Sequence, residues 1–162
     1  MDGHLLIQNA TLILPDRVVE GDLRVSGGSI STIAPGGGLD AGSNEAVIDA
    51  TGLHLLPGAI DPHVHFREPG STEKEDLESG SRAAAAGGVT SFLDMPNNNP
   101  NATNRSTMER KIAIASKKSV THHGFFIGAT NDNIADLQSV EGMDGVCGIK
   151  IFMGSSTGDL LV

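Results

Sequence analysis

Inside the stretch P-G-A-I-D-P-H-V-H-F-R-E-P-G at 57–70, Asp61, His63, His65 and Arg67 stand at alternate positions behind a short apolar run. Alternate side chains of a β-strand share a face, so the spacing puts an acid, two imidazoles and a guanidinium on one side. That composition does not suit a packing face; it suits one wall of a metal site with an anion anchor beside it. Neutral imidazole is the commonest metal ligand and suits zinc. Asp61 could orient a ligand from behind, and Arg67 offers a carboxylate two parallel hydrogen bonds. H-x-H alone fits two histidines at a polar strand end equally well, and an arginine is ordinarily solvated. The pair's place at the C-terminal end of a strand, where parallel α/β folds hold their active sites, favours the metal reading.

Lys150 is the second residue with chemistry to explain. On a strand over Val146–Phe152, Val146, Gly148, Lys150 and Phe152 share one face, and Cys147, Ile149 and Ile151 the other. With the isoleucine face against covering helices, Lys150 points to the interior side, where an unpaired ammonium is costly. Carbamate formation with carbon dioxide removes that charge and creates two oxygens able to bridge two metal ions; a lysine snorkelling from a strand end is the alternative. His122 and His123 are adjacent, face opposite ways on a strand and read as strand-entry residues. Cys147, between Val146 and Gly148, reads as packing. The loop Gly154–Gly158 lacks the G-x-x-x-x-G-K-[ST] form of a phosphate cradle.

The elements that must position these residues fall into two parts, 1–56 and 57–162. In the first, short apolar runs at His4–Ile7, Thr11–Leu14, Asp22–Val25, Ser29–Ile33, Ala46–Ile48 and His54–Leu56 are separated by turn residues and predict a small β-unit. In the second, strands are expected at Ala59–Phe66, Val89–Met95, His123–Ala129 and Val146–Phe152. Between them, Thr72–Glu75 and Ser106–Glu109 have the S/T-x-x-E form of a capping box. The first predicts a helix ending in Ala83–Ala86 and Gly87-Gly88; the second starts one with Met108, Ile112 and Ala115 at helical spacing. A short third helix is expected over Ile134–Val140. Strands alternating with helices imply a parallel sheet. A closed (β/α)8 barrel takes about 250 residues, so the second part matches about the first four βα units of one.

Composition narrows the function classes. A formal charge of −9 argues against nucleic acid or an anionic membrane as partner. The single cysteine excludes an internal disulfide and points to a reducing compartment. With no basic, apolar leader at the N-terminus and no run of membrane-spanning length, a cytoplasmic protein is expected. The core must be aliphatic, Met and Phe, because Trp and Tyr are absent.

Four motifs together, D-P-H-V-H-F-R-E-P-G at 61–70, A-A-A-A-G-G-V-T at 83–90, D-M-P-N-N-N-P at 94–100 and G-I-K-I-F-M-G-S-S-T-G at 148–158, resemble the dihydroorotases of the amidohydrolase superfamily. The resemblance covers nearly the whole chain. It implies a partial (β/α)8 barrel with part of a small N-terminal β-sandwich, and two zinc ions in a complete site. His63 and His65 would hold the first metal, a carboxylated Lys150 would bridge both, and Arg67 with Asn97 would grip the carboxylate of dihydroorotate. The implied reaction interconverts dihydroorotate and carbamoyl aspartate in pyrimidine biosynthesis. Two further histidine ligands and the proton-shuttling aspartate belong to later barrel strands, so no catalytic acid or base is expected in this chain, which on this reading is the N-terminal part of such an enzyme and inactive alone. Exposed barrel edges would then favour association, including a homodimer. Allantoinase and dihydropyrimidinase-type amidohydrolases are the close alternatives, together with a non-catalytic dihydroorotase-like partner protein. Met-Pro followed directly by Asn97 and the placing of Arg67 favour dihydroorotase.

Overall fold

A computed structural model describes residues 3–154 and 160–162 of the chain, which divides into two units, Met1–Pro57 and Gly58–Val162. The glycine-rich loop, from residue 155 to 158, lies outside the described residues.

The first unit contains β1 (Leu5–Ile13), β2 (Val18–Ser26), β3 (Ser29–Pro35), β4 (Ala46–Asp49) and β5 (His54–Leu55). They form one sheet of order β3-β2-β1-β4, with β5 also paired to β1. Where the sequence predicts two strands about Gln8-Asn9, the chain makes one. Asn9 adopts a left-handed φ of 60° in a bulge between Ile7 and Ala10, and its N–H donates to the Asp22 carboxylate at 2.9 Å. A bulge of this kind bends the strand without ending it. Ala10 and Leu12 of β1 pack with Leu23 and Ala50 in the buried cluster of this unit.

The second unit runs β6 (Ala59–Val64), α1 (Leu77–Ala86), β7 (Val89–Asp94), α2 (Arg105–Lys118), β8 (His122–Gly128), α3 (Ile134–Ser139) and β9 (Val146–Lys150). The four strands pair in parallel in chain order, so this unit is α/β with a parallel sheet. Its core joins Phe66, Phe92, Phe125 and Ile127 to Leu77 of α1 and to Met108 and Ala115 of α2. Three of the chain's five phenylalanines therefore meet in this one core, in place of the missing Trp and Tyr.

Both helix starts differ from the expected capping boxes. The box of α1 is Asp76 with Ser79, and Thr72–Lys74 form a turn before it. Leu77 is the first residue that can enter the core, and Glu68 reaches across to accept from its N–H at 3.0 Å. The box of α2 is Asn104 with Thr107, two residues before Ser106–Glu109 would place it; it sets Met108 into the core one turn in. Both sites obey the expected physics, an oxygen accepting from the third helical N–H. The matching residue types simply recur nearby, and burial chooses among them.

Candidate active site

On β7 and β8, Phe92, Phe125 and Ile127 face the helices with the core. Register pairs Ile127 with Ile149 and Gly128 with Lys150, so Lys150 lies on the opposite, helix-free face. It is half-buried, with its ammonium 5.2 Å from the centroid of the Phe152 ring. Ile149 and Ile151, expected to meet covering helices, are 53% and 52% exposed.

β6 departs from strict alternation. It advances from Asp61 to Val64 while β7 advances from Phe92 to Asp94, three residues against two. Pro62 is the physical reason, since it has no N–H to give the ladder. The Asp61 carboxylate instead accepts from the N–H of His63 at 3.1 Å. The expectation that Asp61, His63, His65 and Arg67 all share one strand face is therefore corrected. Asp61 sits before the bulge and holds a peptide group, not an imidazole. Arg67 lies beyond the end of β6, half-buried in the segment that follows it.

The histidines do come together, with ring centroids 5.3 Å apart. His65 Nδ1 lies 2.8 Å from Asn97 Oδ1. A carbonyl oxygen can only accept, so Nδ1 donates, and in the neutral ring Nε2 is the nitrogen with the lone pair a cation would take. The same contact turns the Asn97 amide nitrogen away from His65, and among the described residues its N–H donors have no partner. This donor set fits part of a metal site. Among the described residues no three His, Cys, Asp or Glu side chains converge on one point, and Lys150 stands on β9, the opposite edge of the sheet from β6. Three strand spacings of about 4.8 Å separate those edges along the sheet. His123 lies with Phe92 and Phe125, at ring centroids 6.2 and 5.6 Å, in keeping with a structural role.

Behind this wall lies a group the sequence reading passed over. Lys111 of α2 and Asp94 of β7 are both fully buried, with Nζ 2.8 Å from Oδ2. That oxygen has no directed hydrogen bond, so the ammonium's charge is its compensation. Oδ1 accepts from the N–H of Phe66 at 3.0 Å. Nζ also donates to Met95 O at 2.7 Å and Asn98 Oδ1 at 2.6 Å, and lies 4.8 Å from the centroid of the Phe125 ring. Desolvation pushes the Asp94 carboxyl above its ordinary range and the Lys111 ammonium below its own, each shift opposed by the partner charge. A signal was available: Lys111 stands in the Met108–Ile112–Ala115 stripe, where a lysine must either be buried or break the stripe.

The family profile described as "Amidohydrolase family" matches residues 54–143. An allantoinase of Deinococcus radiodurans is 39% identical over 157 residues, covering 96% of this chain and 34% of that protein. A dihydroorotase of Methanosarcina acetivorans is 39% identical over 154 residues, covering 95% of this chain and 32% of that protein. The structure of an L-hydantoinase (dihydropyrimidinase) from Arthrobacter aurescens superposes with a TM-score of 0.85 at 25% identity, over 100% of this chain and 35% of that one. The chain thus spans about a third of the length of the curated relatives it matches.

Proposed function

We propose that this chain, which belongs to the amidohydrolase family, carries one wall of a metal-dependent site that hydrolyses cyclic amides, with dihydroorotate as the substrate. On this reading the second unit is the first four βα units of a (β/α)8 barrel, and the first unit is part of an accessory β-sandwich. His63 and His65 would hold a zinc ion, and Lys150, as its carbamate, would supply further oxygen ligands to the metal centre. When bound, the metal supplies Lewis-acid polarisation of the scissile ring carbonyl. The chain's own residues bind and orient the ring: Arg67 takes the substrate carboxylate as a two-pronged ion pair, and the Asn97 amide donates to it from the neighbouring loop.

The observation that carries this reading is the His65–Asn97 hydrogen bond at 2.8 Å. It ties a metal-ligand candidate to a substrate-anchor candidate 32 positions away in the chain. Neither residue needs this partner to fold a strand or a loop.

Allantoinase is the second reading, favoured by the 39% identity to the Deinococcus radiodurans protein. The two substrates differ in charge at the place Arg67 would touch, since dihydroorotate bears a carboxylate and allantoin does not. The test is made on the polypeptide extended to the length of its relatives, by zinc content and by ring opening of dihydroorotate, allantoin and hydantoin. Zinc binding with turnover of dihydroorotate supports the proposal, and Arg67→Met should then raise KM for it. Turnover of allantoin alone assigns the second reading. Lys150→Ala retaining two metals removes the carbamate role.

A further inference from the structure

Phe66 separates His65 from Arg67, and both of its backbone groups are held from one place. Its N–H donates to Asp94 Oδ1 at 3.0 Å, and its carbonyl accepts from Asn98 Nδ2 at 3.2 Å. The same Asn98 amide donates to Glu68 O at 3.1 Å, beyond Arg67. Lys111 Nζ joins these two holders, 2.8 Å from Asp94 Oδ2 and 2.6 Å from Asn98 Oδ1. Its third contact, to Met95 O at 2.7 Å, begins the loop that carries Asn97.

An ammonium has three donors and no acceptor; here two of them are given to Met95 O and Asn98 Oδ1, and its charge faces the Asp94 carboxylate. A hydrophobic side chain of similar volume would fill the same space and is often neutral or stabilising in place of a buried ion pair. What it could not do is orient the Asn98 amide. With Nζ on its oxygen, that amide must turn its nitrogen toward Phe66 O and Glu68 O. The peptide groups on either side of Phe66 then have fixed planes, and these set the directions in which His65 and Arg67 leave the chain.

We propose that Lys111 is a positioning residue for the candidate site: through Asp94 and Asn98 it locks the Phe66 peptide groups, and so aims His65 at Asn97 and sets the direction in which Arg67 leaves the chain. The inference rests on the reading of His63 and His65 as cation ligands, but its core, the control of the peptide geometry, is measurable without activity.

The experiment compares the wild-type chain with Lys111→Met and with the double variant Lys111→Met/Asp94→Asn. The double variant removes the charge left unpaired in the single one, while its residue 94 keeps an oxygen for the Phe66 N–H. Three quantities are read: urea stability, amide hydrogen exchange of Phe66 relative to Phe92 and Phe125, and the affinity of the His63/His65 pair for copper(II)–nitrilotriacetate, followed by electron paramagnetic resonance. The double variant should regain most of the urea stability lost in the single one. Its Phe66 amide should still exchange at least about tenfold faster relative to the core, and its copper affinity should stay about tenfold weaker, the factor carried by one hydrogen bond to a charged group. If exchange and copper affinity recover together with stability, Lys111 is merely structural and the proposal fails. If Phe66 exchange stays fast while copper affinity equals wild type, the lock does not reach His65 and the proposal also fails. Absence of copper binding in the wild type, which Ala variants of His63 and His65 would leave unchanged, refutes the ligand reading and with it the aiming of His65; the exchange data then judge the peptide lock on its own.

Discussion

Gly80 sits on α1 against the ring of Phe66, and replacing it with alanine tests how tightly that ring is held. An added Cβ would stand 2.7, 2.8 and 2.9 Å from Cε1, Cδ1 and Cζ of Phe66. On an isolated helix the change would stabilise by about 1 kcal/mol. Overpacking a close core costs about 1–3 kcal/mol. Here the obstacle is a rigid ring, not the end of a flexible chain. Phe92 meets it edge-on, with centroids 4.7 Å apart at 64°, and its backbone is tied to Asp94 and Asn98. The cost therefore belongs in the upper part of that range, and the net effect of Gly80→Ala is a loss of about 1–2 kcal/mol. With a mid-range urea slope of about 2 kcal/mol per molar, the midpoint should drop by roughly 0.5–1 M. Far-UV circular dichroism is the suitable probe, because there is no Trp or Tyr and the helices among the described residues all belong to the second unit. The control is the same substitution in a Phe66→Leu background, where the space opens and the helix preference should make it neutral or stabilising. A higher midpoint for Gly80→Ala in the wild-type background would refute the reasoning.

Lys111→Met leaves Asp94 as an unpaired buried carboxylate and should cost about 3–5 kcal/mol at neutral pH. Burial holds that carboxyl above its ordinary range, so the folded state takes up a proton before the unfolded one. The deficit should therefore narrow as pH falls through the raised value; urea titrations showing it constant or widening would count against the assignment. Asp22 works the other way. Backbone donors from Asn9 and Leu39 hold its carboxyl below the ordinary 3.8, so its stabilisation is complete above that value and lost as pH falls through the lower folded value. Exchange of the Asn9 and Leu39 amides should accelerate in that acid range beyond the intrinsic trend, and Asp22→Asn should remove the pH dependence. Asn104→Ala deletes the oxygen that accepts from Thr107 N at 2.9 Å and should cost about 1 kcal/mol, read as a lower midpoint of the helical signal; an unchanged midpoint would mean that another group satisfies the helix start.

Much of the second unit was legible because its information is local. Apolar runs bounded by glycine and proline mark β7, β8 and β9 to within two residues, and the stripe of Met108, Ile112 and Ala115 marks α2. The parallel order follows from the alternation of strands with helices, which leaves a crossover between each pair of strands. The motif residues that draw attention to His63, His65, Arg67 and Asn97 are likewise a property of the chain as written.

Tertiary structure decided matters that depend on which of several equal local options gains burial or a partner. Three-residue spacings suitable for a cap occur more than once before each helix, and the position of Leu77 and Met108 in the core selects Asp76 and Asn104. Alternation predicts a common face for Asp61 and His63, but a proline between them cannot join the ladder, and the bulge that results separates Asp61 from the wall. The bond from His65 to Asn97 and the burial of Lys111 against Asp94 and Asn98 join residues far apart in the chain. The helical stripe marks Lys111 as a residue to be buried, but no local pattern encodes these partners, because each contact exists only once the elements that carry them are packed together. The chain's letters name the residues able to do chemistry; packing determines that His65 Nδ1 meets the Asn97 oxygen, and that Lys111 is buried against Asp94 behind it.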